Sequence, residues 1–137
     1  MKGGRAIGAA ALAAVLALAL APFPALAAAD GLTVPSGRPV TLLEVVADAP
    51  ADVPTWHFRF TAPWLPREID YAALEPDIEY LCNAVALPAL AEAGASPERV
   101  VISLSDRPTE FGRPAPDAVQ VFESYSIGDG ACQWEPF

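Results

Sequence analysis

The residues of this chain that could do chemistry are few and widely spaced. His57 is the only histidine, Cys82 and Cys132 are the only cysteines, and Ser103, Ser105 and Asp106 sit together in VISLSDRP at 101–108. A hydrolase would use His57 as general base, one serine as nucleophile and Asp106 as orienting carboxylate. No nucleophile elbow surrounds either serine, and a spacing of two places both on one face of a strand. The 17 acidic residues could supply a carboxylate pair for glycoside cleavage, but no spacing selects one. Phosphate-cradling glycine loops are missing. No catalytic residue, metal ligand or cofactor is assigned.

The cysteines admit three readings. In an oxidising compartment two cysteines in a small domain form a disulfide, here between Cys82 and Cys132, and this is the expected state. A redox pair would prefer Cys-x-x-Cys spacing, which is missing. A zinc site would need carboxylates to complete it, because only one histidine is present.

The compartment is read from the first residues. Lys2 and Arg5 precede an apolar run over 6–21, Pro22 and Pro24 break it, and Ala25-Leu26-Ala27 fits the small-x-small cleavage rule. This pattern predicts a signal peptide over 1–27, cut after Ala27 or Ala29, and hence a periplasmic or secreted protein of a bacterium. The apolar run is short and Ala-rich for a bilayer span, so no stable membrane insertion is expected after cleavage. The remaining 110 residues carry 17 acidic residues against six arginines and no lysine, a net charge of −11. Such an acidic chain is a poor partner for nucleic acid or anionic lipid, both of which need a positive surface.

The candidate binding residues are Asp106, Arg107, Phe111, Arg113, Trp134 and Glu135. Arginine and aromatic side chains are the usual anchors of binding surfaces. With so few cations, Arg107 is expected beside an acidic partner, for which Glu135 is the candidate. The partner would be an unknown protein or small ligand of the envelope.

The elements that must position these groups follow from periodicity. Residues 28–39 read as a mobile leader and 40–137 as one domain. Strands are predicted over 40–47, 55–62, 100–105, 119–127 and 131–134. In TWHFRFTA, Trp56, Phe58 and Phe60 share one face, and His57, Arg59 and Thr61 the other. The one long helical pattern covers 70–94, with Leu74, Ile78, Leu81, Cys82 and Val85 at helical spacing. Its start lies at an Asp70 cap or near Glu75, with Pro76 then at the first position; Pro88 should disturb its last turns and Gly94 end it. The connection 107–118 is long, rich in proline and aperiodic, a kind of loop that is often functional. One helix cannot cover both faces of a sheet. The expected fold is therefore α+β, a two-layer sandwich with one main helix on a mostly antiparallel sheet of four to five strands.

Several stretches carry a resemblance: Asp70-x10-Leu81-Cys82, then VISLSDRP, then Phe122-Glu123-x-Tyr125, then Cys132-x-Trp134-Glu135-x-Phe137. Together they are similar to a family of small exported bacterial proteins of unknown function. The similarity spans nearly all of the chain after the signal peptide. It implies a single exported domain with one cysteine pair and no established catalytic residue. Sequences of this kind are sometimes labelled acetolactate synthase. Gly128-Asp129-Gly130 resembles the start of a thiamine-diphosphate motif, but only seven residues follow it here, so its downstream Asn-Asn pair is not expected. The tripeptide reads as a hairpin turn. The functional expectation is a disulfide-stapled binding or accessory module of the bacterial envelope. The alternatives are a small periplasmic enzyme with a carboxylate or His57 site, or a redox protein using its cysteine pair.

Overall fold

The alternation in TWHFRFT divides the molecule into two faces. In the computed structural model, which describes Gly3 and residues 31–48 and 53–137, this segment is strand β3, Thr55–Thr61. Apart from Gly3, the expected signal peptide lies outside the described residues, as do residues 49–52 of the proline-bounded loop. Five further strands flank β3: β1 (Leu32–Thr33), β2 (Pro39–Asp48), β4 (Arg99–Ser105), β5 (Gln120–Gly128) and β6 (Ala131–Glu135). Helix α1 runs over 71–92 between β3 and β4.

The fold corrects the sandwich expectation. The sheet has six strands in the order β1-β2-β3-β4-β5-β6, and it is a curled, mixed half-barrel with a single helix of 22 residues rather than a two-layer sandwich of four to five strands. Neighbours are antiparallel except β3 and β4, which the helical crossover makes parallel. Three causes separate this from the expectation. First, β1 comes from residues assigned to the leader: Leu32 pairs with Val40, Thr33 with Pro39, and Val34 is buried in the core. Second, β2 carries a bulge, since Leu42 faces Phe60 while Glu44 faces Arg59. The extra residue bends the strand and increases its twist. Third, the face away from the helix is itself buried: Arg59, Val101, Ser103, Ser105 and Ser124 are nearly inaccessible. A sandwich would leave that face to water.

The other face carries the core. Phe58, Phe60, Ile102, Leu104, Val121 and Tyr125 pack against Leu74, Ile78, Leu81, Cys82, Val85 and Leu90 of the helix. Each such side chain contributes about 2 kcal/mol on burial. The helix begins at Asp70, whose carboxylate accepts from the Ala73 N–H at 3.2 Å, so Pro76 lies inside it. Leu81–Ala86 forms a π turn in which the Leu87 N–H reaches the Cys82 carbonyl five residues back. Pro88 follows at once. Its ring would strike the carbonyl four residues earlier in α geometry, and the widened turn accepts it within a continuous helix. Gly94, at φ 69°, ends the helix. Its N–H bonds Ala91 and the Ala95 N–H bonds Leu90, a pattern that requires the left-handed residue.

The hairpin β5–β6 turns through Asp129 and Gly130 at φ 52° and 73°, the mirror-image turn suited to twisted strands. Cys82 and Cys132 form the expected disulfide, with Cα atoms 6.2 Å apart. Beside it, the Cys132 N–H donates to Asn83 Oδ1 at 2.9 Å. The π turn and β6 are thus joined by one covalent and one hydrogen bond. Replacing both cysteines by alanine should lower unfolding free energy by about 4 kcal/mol, from the span of 50 residues closed by the bond. Urea unfolding of the double variant measures this.

Candidate functional site

The bulge in β2 decides what faces the polar side of β3. A one-residue slip flips every later side chain. Beyond the bulge, Glu44 stands opposite Arg59, Val46 opposite His57 and Asp48 opposite Thr55. Arg59 is 6% exposed, and a buried guanidinium needs both charge and acceptors. Its Nη1 pairs with Glu44 Oε1. Its Nη2 donates to the Thr109 carbonyl at 2.9 Å and to Thr109 Oγ1 at 2.7 Å. One arginine therefore ties the bulged strand and the loop 107–118 to the sheet.

The loop is also closed at its base. The Asp106 N–H donates to the Val119 carbonyl, and the Val119 N–H donates back to Asp106 Oδ1, both at 3.0 Å. Ser105 Oγ donates to the Arg107 carbonyl at 2.6 Å. Folded over the sheet, the loop brings Phe111 edge-on to His57, with ring centres 4.9 Å apart, and beneath the Arg59 guanidinium at 5.7 Å.

Between loop and sheet lies a cavity of about 510 Å³ lined by His57, Arg59, Val101, Glu110, Phe111, Gly112, Arg113, Gln120, Phe122 and Phe137. A second cavity of about 410 Å³ shares His57, Val101 and Phe137, and adds Asp48, Thr55, Arg99, Ser124, Glu135 and Pro136. His57 stands at the junction. Asp48 Oδ2 lies 3.6 Å from its Nε2, too far for a hydrogen bond, and Nε2 is buried with no partner among the described residues. Burial pulls the His57 pKa below its ordinary value; the Asp48 carboxylate opposes this and Arg59 adds to it. The imidazole at the cavity wall is neutral at pH 7.

The predicted site residues divide. Phe111 and Arg113 line the larger cavity and Glu135 the smaller. Arg113 is paired with Glu110 at 2.9 Å on the loop surface. Asp106 and Arg107 bind each other through two contacts of 3.1 Å at the loop base, so Arg107 finds its acid next door and not at Glu135. That contact holds the Asp106 carboxyl below the usual carboxylate range. Trp134 lies on the helix side of the sheet, where its Nε1 donates to Glu123 Oε2 at 2.6 Å. The serine–histidine–aspartate arrangement is not assembled. Asp106 is held by Arg107 and Val119, Ser105 by Arg107, and Ser103 is in register with Arg59. Both cysteines are consumed by the disulfide. Among the described residues no group of three histidine, cysteine or acidic side chains is placed to hold a metal ion.

Sequence reasoning passed over Arg59, Glu44 and Phe122. One signal was available: an arginine alternating with three aromatic residues in a strand has to be buried with a partner. The identity of that partner depends on the bulge, which no local pattern announces.

A family of unknown function, DUF6497, matches residues 12–137, and the chain belongs to it. No curated protein matches the chain, and no solved structure does.

Two expectations follow from the geometry. Arg59→Met leaves Glu44 and Thr109 without their donor and should cost about 2–3 kcal/mol, with faster amide exchange concentrated in the loop around Phe111. For His57, the folded pKa lies below the unfolded value of 6.5. On acidification the unfolded chain takes up this proton first, so its contribution to stability is intact above pH 6.5 and is lost as pH falls toward the folded pKa. His57→Gln should flatten that acid-side decline in urea midpoints measured between about pH 7.5 and about pH 5.5; an undiminished slope would refute the assignment.

Proposed function

We propose that this member of the family is a binding module of the bacterial envelope that takes the apolar body of a small ligand into the cavity beneath the 107–118 loop. The carrying observation is a buried hydrogen-bonding atom, His57 Nε2, without a partner among the described residues, in a cavity where Phe111, Phe122, Phe137 and Val101 supply apolar wall and Arg59, Glu110, Arg113 and Gln120 supply polar groups. Apolar walls with one or two placed polar atoms are the usual composition of small-molecule sites. Phe111 and Phe122 keep almost half of their surface exposed and Phe137 most of it, more apolar surface than the fold itself requires. Export by the N-terminal signal accords with a domain closed by a disulfide. No helix among the described residues is long and apolar enough to cross a membrane.

A second reading, a small periplasmic enzyme, is favoured by the same imidazole, neutral and beside Asp48 in a cleft. It would require turnover that His57→Gln abolishes while ligand binding persists.

The test uses anilinonaphthalene sulfonate as an apolar probe of the exported protein. Saturable fluorescence enhancement should weaken about tenfold in Phe111→Ala and stay unchanged in Trp134→Ala, on the opposite face. Equal behaviour of the two variants would overturn the site. The covalent mass of the same preparation should begin at Ala28 or Asp30 and lack two hydrogens.

A further inference from the structure

The smaller cavity carries charges of both signs that do not meet. Asp48, Arg99 and Glu135 all line it. Asp48 stands opposite Thr55, and Thr55 opposite Arg99, so one row across β2, β3 and β4 puts Asp48 and Arg99 on the same face of the sheet. Two strands apart is roughly 10 Å between backbones. On the other side Arg99 pairs with Ser126 of β5, and Glu135 of β6 pairs with Ser124, one step along the same face. Arg99 and Glu135 form no ion pair among the described residues, and the contact of Asp48 is with His57. Strand register therefore sets an arginine between two carboxylates around a cavity of about 410 Å³ and keeps the three from closing on one another.

The junction of the two cavities supplies an independent observation. Asp48 Oδ2 lies 3.6 Å from His57 Nε2, and that nitrogen has no hydrogen-bond partner among the described residues. A neutral imidazole with its proton on Nδ1 presents Nε2 as an acceptor. Carboxylate and imidazole then stand side by side as acceptors, and a charged donor is the strongest partner for such a pair. Past His57 the smaller cavity continues into the larger one, since His57, Val101 and Phe137 line both. A ligand held at Asp48 and Arg99 points its body over Val101 toward Phe111 and Phe122.

We infer that the joined cavities bind a free α-amino acid with a large apolar side chain, an inference that rests on the binding reading above. The ligand carboxylate pairs with Arg99, whose planar fork matches it. The ligand ammonium is taken by Asp48 beside His57 Nε2, and the side chain enters the larger cavity among the phenylalanine rings. Only a molecule with both charges on neighbouring atoms uses the arginine and the carboxylate that register holds apart. A simple carboxylic acid would cover Asp48 without a partner, and a simple amine would do the same to Arg99; both are costly. Glu135, on the far side of Arg99, repels a second carboxylate, so acidic amino acids are refused.

The probe is L-phenylalanine, titrated calorimetrically into the exported protein. Arg99→Gln and Asp48→Asn should each weaken binding at least about tenfold. Glu92→Gln, on α1, should leave it unchanged. On the unaltered protein, phenylalanine amide lacks the carboxylate and hydrocinnamate lacks the ammonium, and each should bind at least about tenfold more weakly than phenylalanine. L-aspartate should not bind. Either analogue binding as tightly as phenylalanine would overturn the assignment, the amide by pointing to a peptide N-terminus instead. Anilinonaphthalene sulfonate held through Phe111 with no uptake of phenylalanine would overturn this inference and leave the binding module standing. Failure of both probes would overturn the two together.

Discussion

A buried guanidinium organises the polar half of this protein. Arg59 sits in the middle of β3 between Phe58 and Phe60, whose rings must face the helix, so its own side chain is forced to the opposite face. There it cannot remain buried without a counter-charge. Glu44 reaches it only because β2 bulges, and the bulge in turn contributes to the curl of the sheet. The remaining donors of Arg59 take Thr109, which folds the proline-rich loop down and carries Phe111 onto His57. Bulge, curl, loop and cavity are consequences of satisfying one charge.

The helical half obeys a different constraint. Pro88 would end or kink an ordinary α-helix, yet the chain needs an unbroken apolar face to cover the sheet. Widening Leu81–Ala86 into a π turn meets both demands, and it places Cys82 and Asn83 where β6 passes. The crosslink and the Asn83 bond then pin the last strand to the helix. Beyond them Trp134 stays exposed and bonds Glu123 across the hairpin.

The two faces therefore carry different surfaces. One is a cavity with phenylalanine walls and an uncharged imidazole, roofed by a loop held at base and tip. The other carries the helix, with the exposed Trp134 indole bonded to Glu123 at its edge. They share strand β5, which sends Phe122 to the first and Glu123 and Tyr125 to the second, so alternation along a single strand keeps them apart.

By itself the sequence determined the elements. Period-two and helical spacing located β2 to β6 and α1 to within a residue or two. Asp70, Gly94 and Asp129-Gly130 marked their ends, because capping and left-handed turns are chemistry local to a few residues. The two cysteines and the apolar face of the helix were legible for the same reason. Tertiary structure decided the rest. A strand as short as Leu32–Thr33 has no pattern of its own and exists only through its pairing with β2. A bulge is a mismatch between two strands, invisible in either one. The partners of Arg59, Arg107 and Trp134 were settled by which carboxylate the folded chain brings near each of them, and of those only Asp106 lies next to its partner in the sequence.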